Sequence, residues 1–304
     1  MDRPCIGFIG PGTVGTALAI ALSNAGYPVV AIAGRSIEPA RRLADRIAGC
    51  AAVETPQDVV AASDLVFLTV PDDAVETLCD SIAWPPGRAV VHCSGVASVN
   101  LLAHAVKDGA EAGVFHPLQT FATSEQAKRN LPGSAFGIEA TTETLLATLS
   151  EMAESLGGTP RTIRGDRAIY HASAVIASNY VVTLLDAASS LWRTLGLSPE
   201  EGLKALLPLV RGTIENLETV GLPGALTGPI ARGDLRTIAQ HLDALARVAP
   251  KLLDVYKGLA RRAIPIARAK GGLTEDAAER LATMLDRPTE GGDACESRSR
   301  TSES

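Results

Sequence analysis

The chain has 304 residues, of which 46% are hydrophobic, 20% charged and only 4% aromatic, with a formal net charge of −6 and an isoelectric point near 5.5. This composition excludes general disorder, and the length suits two domains. The acidic balance and the scarcity of stacking rings exclude the usual footprint of a nucleic-acid binder, so an anionic ligand needs a local positive site.

In the first half, short β-branched runs alternate with amphipathic stretches. Strands are predicted at Ile6–Ile9, Val29–Ala33, Leu65–Val70, Ala89–Cys93, Gly113–Phe115, Ala135–Glu139 and Arg161–Ile163. Helices are predicted between them, near Thr13–Ala25, Glu38–Ile47, Asp73–Ile82, Val99–Val106 and Thr142–Leu156. Such alternation implies βαβ units and a mostly parallel sheet covered on both faces. From Asp166 to Leu195 the sequence has neither strand signal nor proline, and predicts one helix about 45 Å long. Ser198-Pro199-Glu200-Glu201 reads as a capping box with proline at the first helical position. Helices follow near Pro199–Thr219, Leu235–Arg247, Pro250–Ala269 and Thr274–Leu285. The expected organisation is a doubly wound α/β domain over residues 1–165, an all-α domain over 166–286, and a disordered polar tail over 287–304.

Gly10-Pro11-Gly12-Thr13-Val14-Gly15 is a GxGxxG placed directly between a predicted strand and a predicted helix. Gly10 permits a tight turn, Gly12 lets backbone approach a pyrophosphate, and Gly15 lets the helix pack close to the strand. The open helix N-terminus offers N–H groups and a positive dipole end to phosphates, which makes this a Rossmann dinucleotide site. Where an NAD binder usually has an acid for the ribose, this chain has Gly34-Arg35-Ser36. A guanidinium and a hydroxyl suit the 2′-phosphate of NADP, and Arg41 or Arg42 could add charge. Val70-Pro71 and Cys93-Ser94-Gly95 end two further strands at the same crevice. Asp72 or Asp73 is expected to cap the following helix. Ser94 could face the nicotinamide or the substrate, or could equally be a turn serine.

Phe115-His116-Pro117-Leu118-Gln119-Thr120-Phe121 puts a histidine at the crevice, where it could exchange a proton with substrate during hydride transfer. Gln119 is a candidate substrate contact beside it. His171, Ser178 and Asn179 share nearly one face of the predicted long helix, so a donor and an amide could bind a carbonyl oxygen. Thr227 and Arg232, in Thr227–Asp234, could hold a substrate anion, whereas Asp234 is expected to cap the next helix. His92 reads as a buried, hydrogen-bonded residue. No histidines or acids have metal-ligand spacing, so no metal is expected.

The cysteines (Cys5, Cys50, Cys79, Cys93 and Cys295) are odd in number, scattered and without a CxxC pair. They point to a reducing compartment rather than a disulfide framework. No apolar run is expected to reach membrane-spanning length, and the glycines near the N-terminus argue against a signal peptide. A soluble cytoplasmic protein without a membrane partner is expected.

The layout resembles the superfamily of 6-phosphogluconate dehydrogenase, ketopantoate reductase, pyrroline-5-carboxylate reductase and prephenate dehydrogenase. FHPLQTF at Phe115–Phe121, HASAVIASNY at His171–Tyr180 and TGPIARGD at Thr227–Asp234 look like a narrower family of uncharacterised oxidoreductases. Its members join a Rossmann-like domain to a helical domain of unknown function, and the resemblance spans about residues 5–285. It implies an NADP-dependent dehydrogenase or reductase acting on a small-molecule substrate, with ketopantoate-like reduction of a 2-keto acid as the leading case, and a homodimer formed through the helical domain. His116-Pro117 and Ser94 resemble a substrate-contacting histidine and a serine of prephenate dehydrogenases. His171 and Asn179 resemble a lysine and an asparagine of the ketopantoate and 6-phosphogluconate enzymes. Here histidine replaces lysine, and Val175 stands where ketopantoate reductases have asparagine. The alternatives are an NADPH-binding regulator without turnover, or an enzyme pairing NADP with another carrier such as a deazaflavin.

Overall fold

The computed structural model describes residues 3–121, 126 and 129–287; from residue 288 onward the expected tail lies outside the described residues. The first half contains β1 (Ile6–Ile9), α1 (Thr13–Asn24), β2 (Val29–Ala33), α2 (Ile37–Ala44), β3 (Ala51–Ala52) and α3 (Pro56–Ala62). It continues with β4 (Leu65–Leu68), α4 (Asp72–Asp80), β5 (Ala89–His92), α5 (Ala103–Lys107) and β6 (Glu111–Pro117). Then come β7 (Ala135–Ala140), α6 (Glu143–Ser155), β8 (Thr159–Thr162) and α7 (Arg167–Ala177).

The strands form one sheet in the order β3-β2-β1-β4-β5-β6-β7-β8, parallel throughout except for the antiparallel β6–β7 pair. The chain winds outward from β1 through β2 and β3, then returns to place β4 on the other flank of β1. The crevice where the winding reverses is the usual ligand position in such sheets. Alternation along the strands splits the core. Phe8, Leu18, Phe67, Phe115, Phe136 and Met152 pack on one face, and Ile9, Val66, Leu68, Val75, Trp84 and Leu102 on the other. Four of the five phenylalanines form a row across the first face: Phe8–Phe67 at 4.9 Å, Phe67–Phe115 at 5.7 Å and Phe115–Phe136 at 4.9 Å.

β3 and α3 escaped the sequence reading. β3 is two alanines, too short and too small to carry a strand pattern. α3 is opened by Thr55, whose side chain accepts from the Asp58 N–H while the Asp58 carboxylate accepts from the Thr55 N–H, with Pro56 at the first turn.

The predicted long helix is corrected. It is broken at Ser178 (φ −119°, ψ −70°) into α7 and α8 (Asn179–Ser190), and its last turn, Leu191–Leu195, is 3-10. The expectation about membrane-spanning length is corrected too. Taken together, the stretch Arg167–Leu195 spans 29 residues and is apolar enough to cross a membrane by length and composition alone, a test that the core helix of a soluble protein also passes.

The remaining helices are α9 (Pro199–Gly224), α10 (Leu235–Val248), α11 (Leu253–Lys270) and α12 (Glu275–Asp286). The Ser198/Glu201 capping box and Pro199 open α9 as its sequence indicates, and the run is kinked at Gly221 and Leu222. Ile238, Ala260, Ala267, Leu281 and Leu285 form the core of this part. The chain divides into two compact units after Asn179, so α7 belongs with the sheet and not with the helical domain expected from residue 166.

Phe67 stands in the middle of the aromatic row, so Phe67→Ala removes ring contacts on two sides. It is expected to cost about 3–5 kcal/mol, read as a lowered midpoint of the first transition in urea.

Candidate functional site

The glycine loop follows β1 directly. Gly10 has φ +107°, and a side chain there would come within 2.7 Å of the Thr69 carbonyl oxygen at the end of β4. A Cβ at Gly15 would strike the Gly10 carbonyl and the Thr69 hydroxyl, which itself donates to the Gly10 carbonyl at 2.7 Å. At Gly12 a Cβ would approach no atom closer than 3.9 Å, so that backbone is open. Gly12 is the N-cap of α1, no side chain caps the helix, and its first turn holds no acid. Thr13 is exposed and Val14 half-buried there. An uncapped helix start without competing carboxylates fits a dinucleotide pyrophosphate.

At the end of β2, Gly34 lies against Pro11; a Cβ there would meet the Pro11 ring at 2.8 Å. The exposed Arg35 and Ser36 follow at once. Ser36 is the N-cap of α2 and its hydroxyl caps no backbone N–H. Arg41 is paired with Glu38 at 3.1 Å. These features fit the 2′-phosphate of NADP. Val70 is half-buried and Pro71 exposed, and Pro71 rather than Asp72 is the N-cap of α4.

Farther along the same sheet edge, the loop after β5 is tightly bonded. The Ser94 hydroxyl donates to the Asp72 carboxylate at 2.6 Å and accepts from the Ala97 N–H at 3.1 Å. Ser94 thus pins its own loop to the start of α4. The Ser94 N–H donates to His92 Nδ1, so His92 Nε2 carries the proton given to the Ser98 carbonyl at 3.0 Å. Burial lowers the pKa of His92 below that of ordinary imidazole.

His116 lies inside β6, opposite Gly137 of β7, rather than in a loop after the strand. Its Nδ1 is 2.8 Å from the Tyr170 hydroxyl, and its ring centroid is 6.4 Å from that of His171. Both histidines close over Gly95, where a Cβ would come within 2.6 Å of His171 Cδ2 and 2.9 Å of His116 Nε2. Burial, with the Arg167 guanidinium and His171 as lesser causes, holds the His116 pKa down to about 4. At neutral pH His116 is therefore an uncharged imidazole.

Arg167, only 3% exposed, organises this cluster. Its Nη2 donates to the Ser94 carbonyl at 3.2 Å, and its Nη1 stands 3.7 Å from a Glu139 oxygen. Its guanidinium is 5.5 Å from the Tyr170 ring centre. Among the described residues, Nε and Nη1 are buried without a hydrogen bond.

The structure thus brings His116, His171 and the Ser94 loop together on one sheet edge. It does not support the shared-face argument for Ser178 and Asn179, because the helix breaks between His171 and Asn179. Gln119 is turned to its own loop: its amide donates to the Asn130 carbonyl and the Ser134 hydroxyl, and its oxygen accepts from the Thr120 N–H. Thr227 and Arg232 lie in the helical unit, where both are exposed. Asp234 caps α10 through Thr237. Sequence reasoning missed Arg167, Tyr170, Thr69 and Gly137. Only Gly165-Asp166, a helix-start signal, hinted at the first two. Among the described residues no cluster of metal-ligating side chains occurs.

Two domain families match the chain. Residues 1–117 match a Rossmann-like domain, and residues 134–263 match DUF2520, a domain of unknown function. No curated protein matches the sequence. Among solved structures, a Bacteroides fragilis protein proposed to be an NADP oxidoreductase is 26% identical, with a TM-score of 0.64, over 86% of this chain and 98% of that one. Protein TM1727 of Thermotoga maritima is 25% identical, with a TM-score of 0.70, over 88% and 99%. A reductive aminase of Aspergillus terreus, solved with NADPH and ethyl-5-oxohexanoate, is 19% identical, with a TM-score of 0.56, over 93% of each chain, and shares the fold.

The low pKa of His116 links protonation to stability. Between the ordinary imidazole value of about 6.5 and about 4, the unfolded chain binds more protons than the folded one. This contribution is full above the upper value and is lost as pH falls through the window. Denaturation measured from pH 7 to pH 4 is expected to show a shallower acid limb for His116→Gln than for wild type; equal slopes would place the linkage elsewhere.

Proposed function

We propose that the chain is an NADP(H)-dependent oxidoreductase that reduces a small, anionic carbonyl or imine compound. The observation that carries this reading is the pairing, along one sheet edge, of an uncapped glycine-loop helix with two histidine rings that meet over Gly95. The likeness in fold to an NADPH-bound reductive aminase, and the 26% identity to a proposed NADP oxidoreductase, support it. Gly10, Pro11, Gly12, Thr13, Val14 and Gly15 would hold the pyrophosphate, Arg35 and Ser36 the 2′-phosphate, and Val70 and Pro71 would flank the nucleotide. The bound dinucleotide supplies hydride.

This chain's residues supply the rest. The neutral His116 ring presents Nε2 on the Gly95 side and can hydrogen-bond the oxygen or nitrogen of the reacting double bond. His171 exchanges the proton that this atom gains or loses. Ser94, bonded to Asp72, keeps the loop under both rings in place. A 2-keto acid of the ketopantoate kind and a cyclic imine are the first substrates to try.

We also propose a cytoplasmic homodimer formed through the helical part. Val182, Leu195, Leu209 and Leu222 of that part are each more than 60% exposed, more apolar surface than a lone soluble chain ordinarily leaves in water. Light scattering is expected to give twice the 31.5 kDa chain mass at micromolar concentration; a monomer there would overturn this.

The reductase reading is tested by titrating NADPH and NADH into wild type and Arg35→Ala. NADPH is expected to bind more tightly than NADH and to lose about tenfold in the variant, the scale of one charge-assisted contact, with NADH unchanged. Binding of neither nucleotide would overturn the reading. His171→Ala is expected to lower kcat by about 100-fold while NADPH affinity holds.

A further inference from the structure

The Tyr170 hydroxyl has no part in the proposed reaction, yet three features of the fold are arranged around it. Gly137, directly across the β6–β7 ladder from His116, has no side chain, and a Cβ there would come within 2.6 Å of the Tyr170 oxygen and 2.8 Å of Cζ. The phenol therefore occupies space that a glycine leaves free. The hydroxyl sits 2.8 Å from His116 Nδ1, with the two rings at 87°. The buried Arg167 guanidinium lies 5.5 Å from the Tyr170 ring centre on the same first turn of α7.

We propose that Tyr170 is a positioning residue that sets the tautomer of His116: its hydroxyl donates to Nδ1, and the single ring proton is held on Nε2, facing Gly95 and His171. The direction of the bond follows from the two partners. A neutral imidazole nitrogen is a strong acceptor, whereas a phenol oxygen is a weak one, so O–H···N is the better of the two arrangements. The reverse bond would leave the phenol proton seeking another acceptor, and among the described residues the hydroxyl bonds only His116. Burial raises the Tyr170 pKa and keeps the phenol protonated, while the nearby guanidinium opposes a positive charge on His116. That cation over the phenol ring also strengthens the O–H as a donor.

The consequence is functional. Nε2 makes no hydrogen bond among the described residues, and it is the atom that a Cβ at Gly95 would approach to 2.9 Å. With the tautomer fixed, Nε2–H is a permanent donor toward the reacting oxygen or nitrogen. Without Tyr170 the ring would spend part of its time presenting a lone pair instead. This consequence rests on the reductase reading; the tautomer assignment does not.

The experiment separates the two. Long-range nitrogen–proton correlation spectra of uniformly 15N-labelled protein at pH 7, with His116→Gln to assign the signals, are expected to show His116 protonated at Nε2 and bare at Nδ1. Tyr170→Phe, which keeps the ring and removes the hydroxyl, is expected to give a mixture of tautomers. A wild-type ring protonated at Nδ1 overturns the proposal without recourse to any variant, and so does a Tyr170→Phe spectrum identical to wild type. In turnover assays Tyr170→Phe is expected to lower kcat by about 10- to 100-fold, by analogy with the loss of a partner that orients a metal-bound histidine, with KM and NADPH affinity unchanged. An unchanged kcat beside a scrambled tautomer would overturn the positioning role. If wild type reduces no keto acid or imine, the reductase reading fails while the spectra still decide the tautomer.

Discussion

A buried guanidinium is expensive, and the end of the sheet is built around one. Arg167 is cut off from water, with one hydrogen bond among the described residues, to the Ser94 carbonyl, and a carboxylate 3.7 Å away at Glu139. Leaving two of its nitrogens unbonded costs stability that a neutral residue of the same shape would not. What the cost secures is connection. One side chain at the start of α7 ties down the loop after β5, faces a carboxylate on β7 and lies beside the Tyr170 ring. The histidines converge over Gly95 because the loop carrying Gly95 and the helix carrying His171 are fastened to the same cation. The cation adds to the electrostatics of the pocket: burial is the main reason His116 stays neutral, and a proton placed on it would also share a poorly solvated space with an existing positive charge.

Glycines do complementary work by leaving room. Gly10 and Gly15 let α1 approach the ends of β1 and β4, and the Thr69 hydroxyl fills the gap by bonding to the Gly10 carbonyl. Gly95 and Gly137 leave room for rings rather than backbone. The two pairs lie at different ends of the edge, one at the glycine loop that opens α1 and the other at an imidazole–phenol contact. A methyl group at any of the four would move a neighbour rather than fill a void, because the nearest atoms lie under van der Waals distance from where it would sit.

The first pair was legible in the sequence and the second was not, and the reason is separation along the chain. GxGxxG, with a strand before and a helix after, is local: its meaning lies within a single βαβ unit. So are the capping signals. Ser198-Pro199-Glu200-Glu201 announced α9, and Thr55-Pro56-Gln57-Asp58 carries the same message for α3, although no apolar periodicity drew attention to it. His116 was legible as a histidine near the crevice. Its partner stands 54 residues away on another element, and nothing in Ala168-Ile169-Tyr170 distinguishes a site tyrosine from a surface one. The break at Ser178 left no mark either: it has neither proline nor glycine, and the apolar pattern runs straight through it. An argument from helical spacing between His171 and Asn179 fails for that reason alone.

The helical unit supplies an internal contrast. His241 and Tyr256 form a second imidazole–phenol pair with the same 2.8 Å hydrogen bond and the same 87° between rings. It lines an apolar groove of about 480 Å³ between α8, α10 and α11, among Leu184, Leu245, Val248 and Leu259. Burial alone raises the Tyr256 pKa, whereas at Tyr170 a guanidinium opposes the same effect. Local geometry is therefore not what marks out His116. A histidine–tyrosine contact is a common way to satisfy two half-polar rings against an apolar surface. What sets His116 apart is its surroundings: it is buried beside the Arg167 guanidinium, and its Nε2 faces the space over Gly95 that the His171 ring also borders.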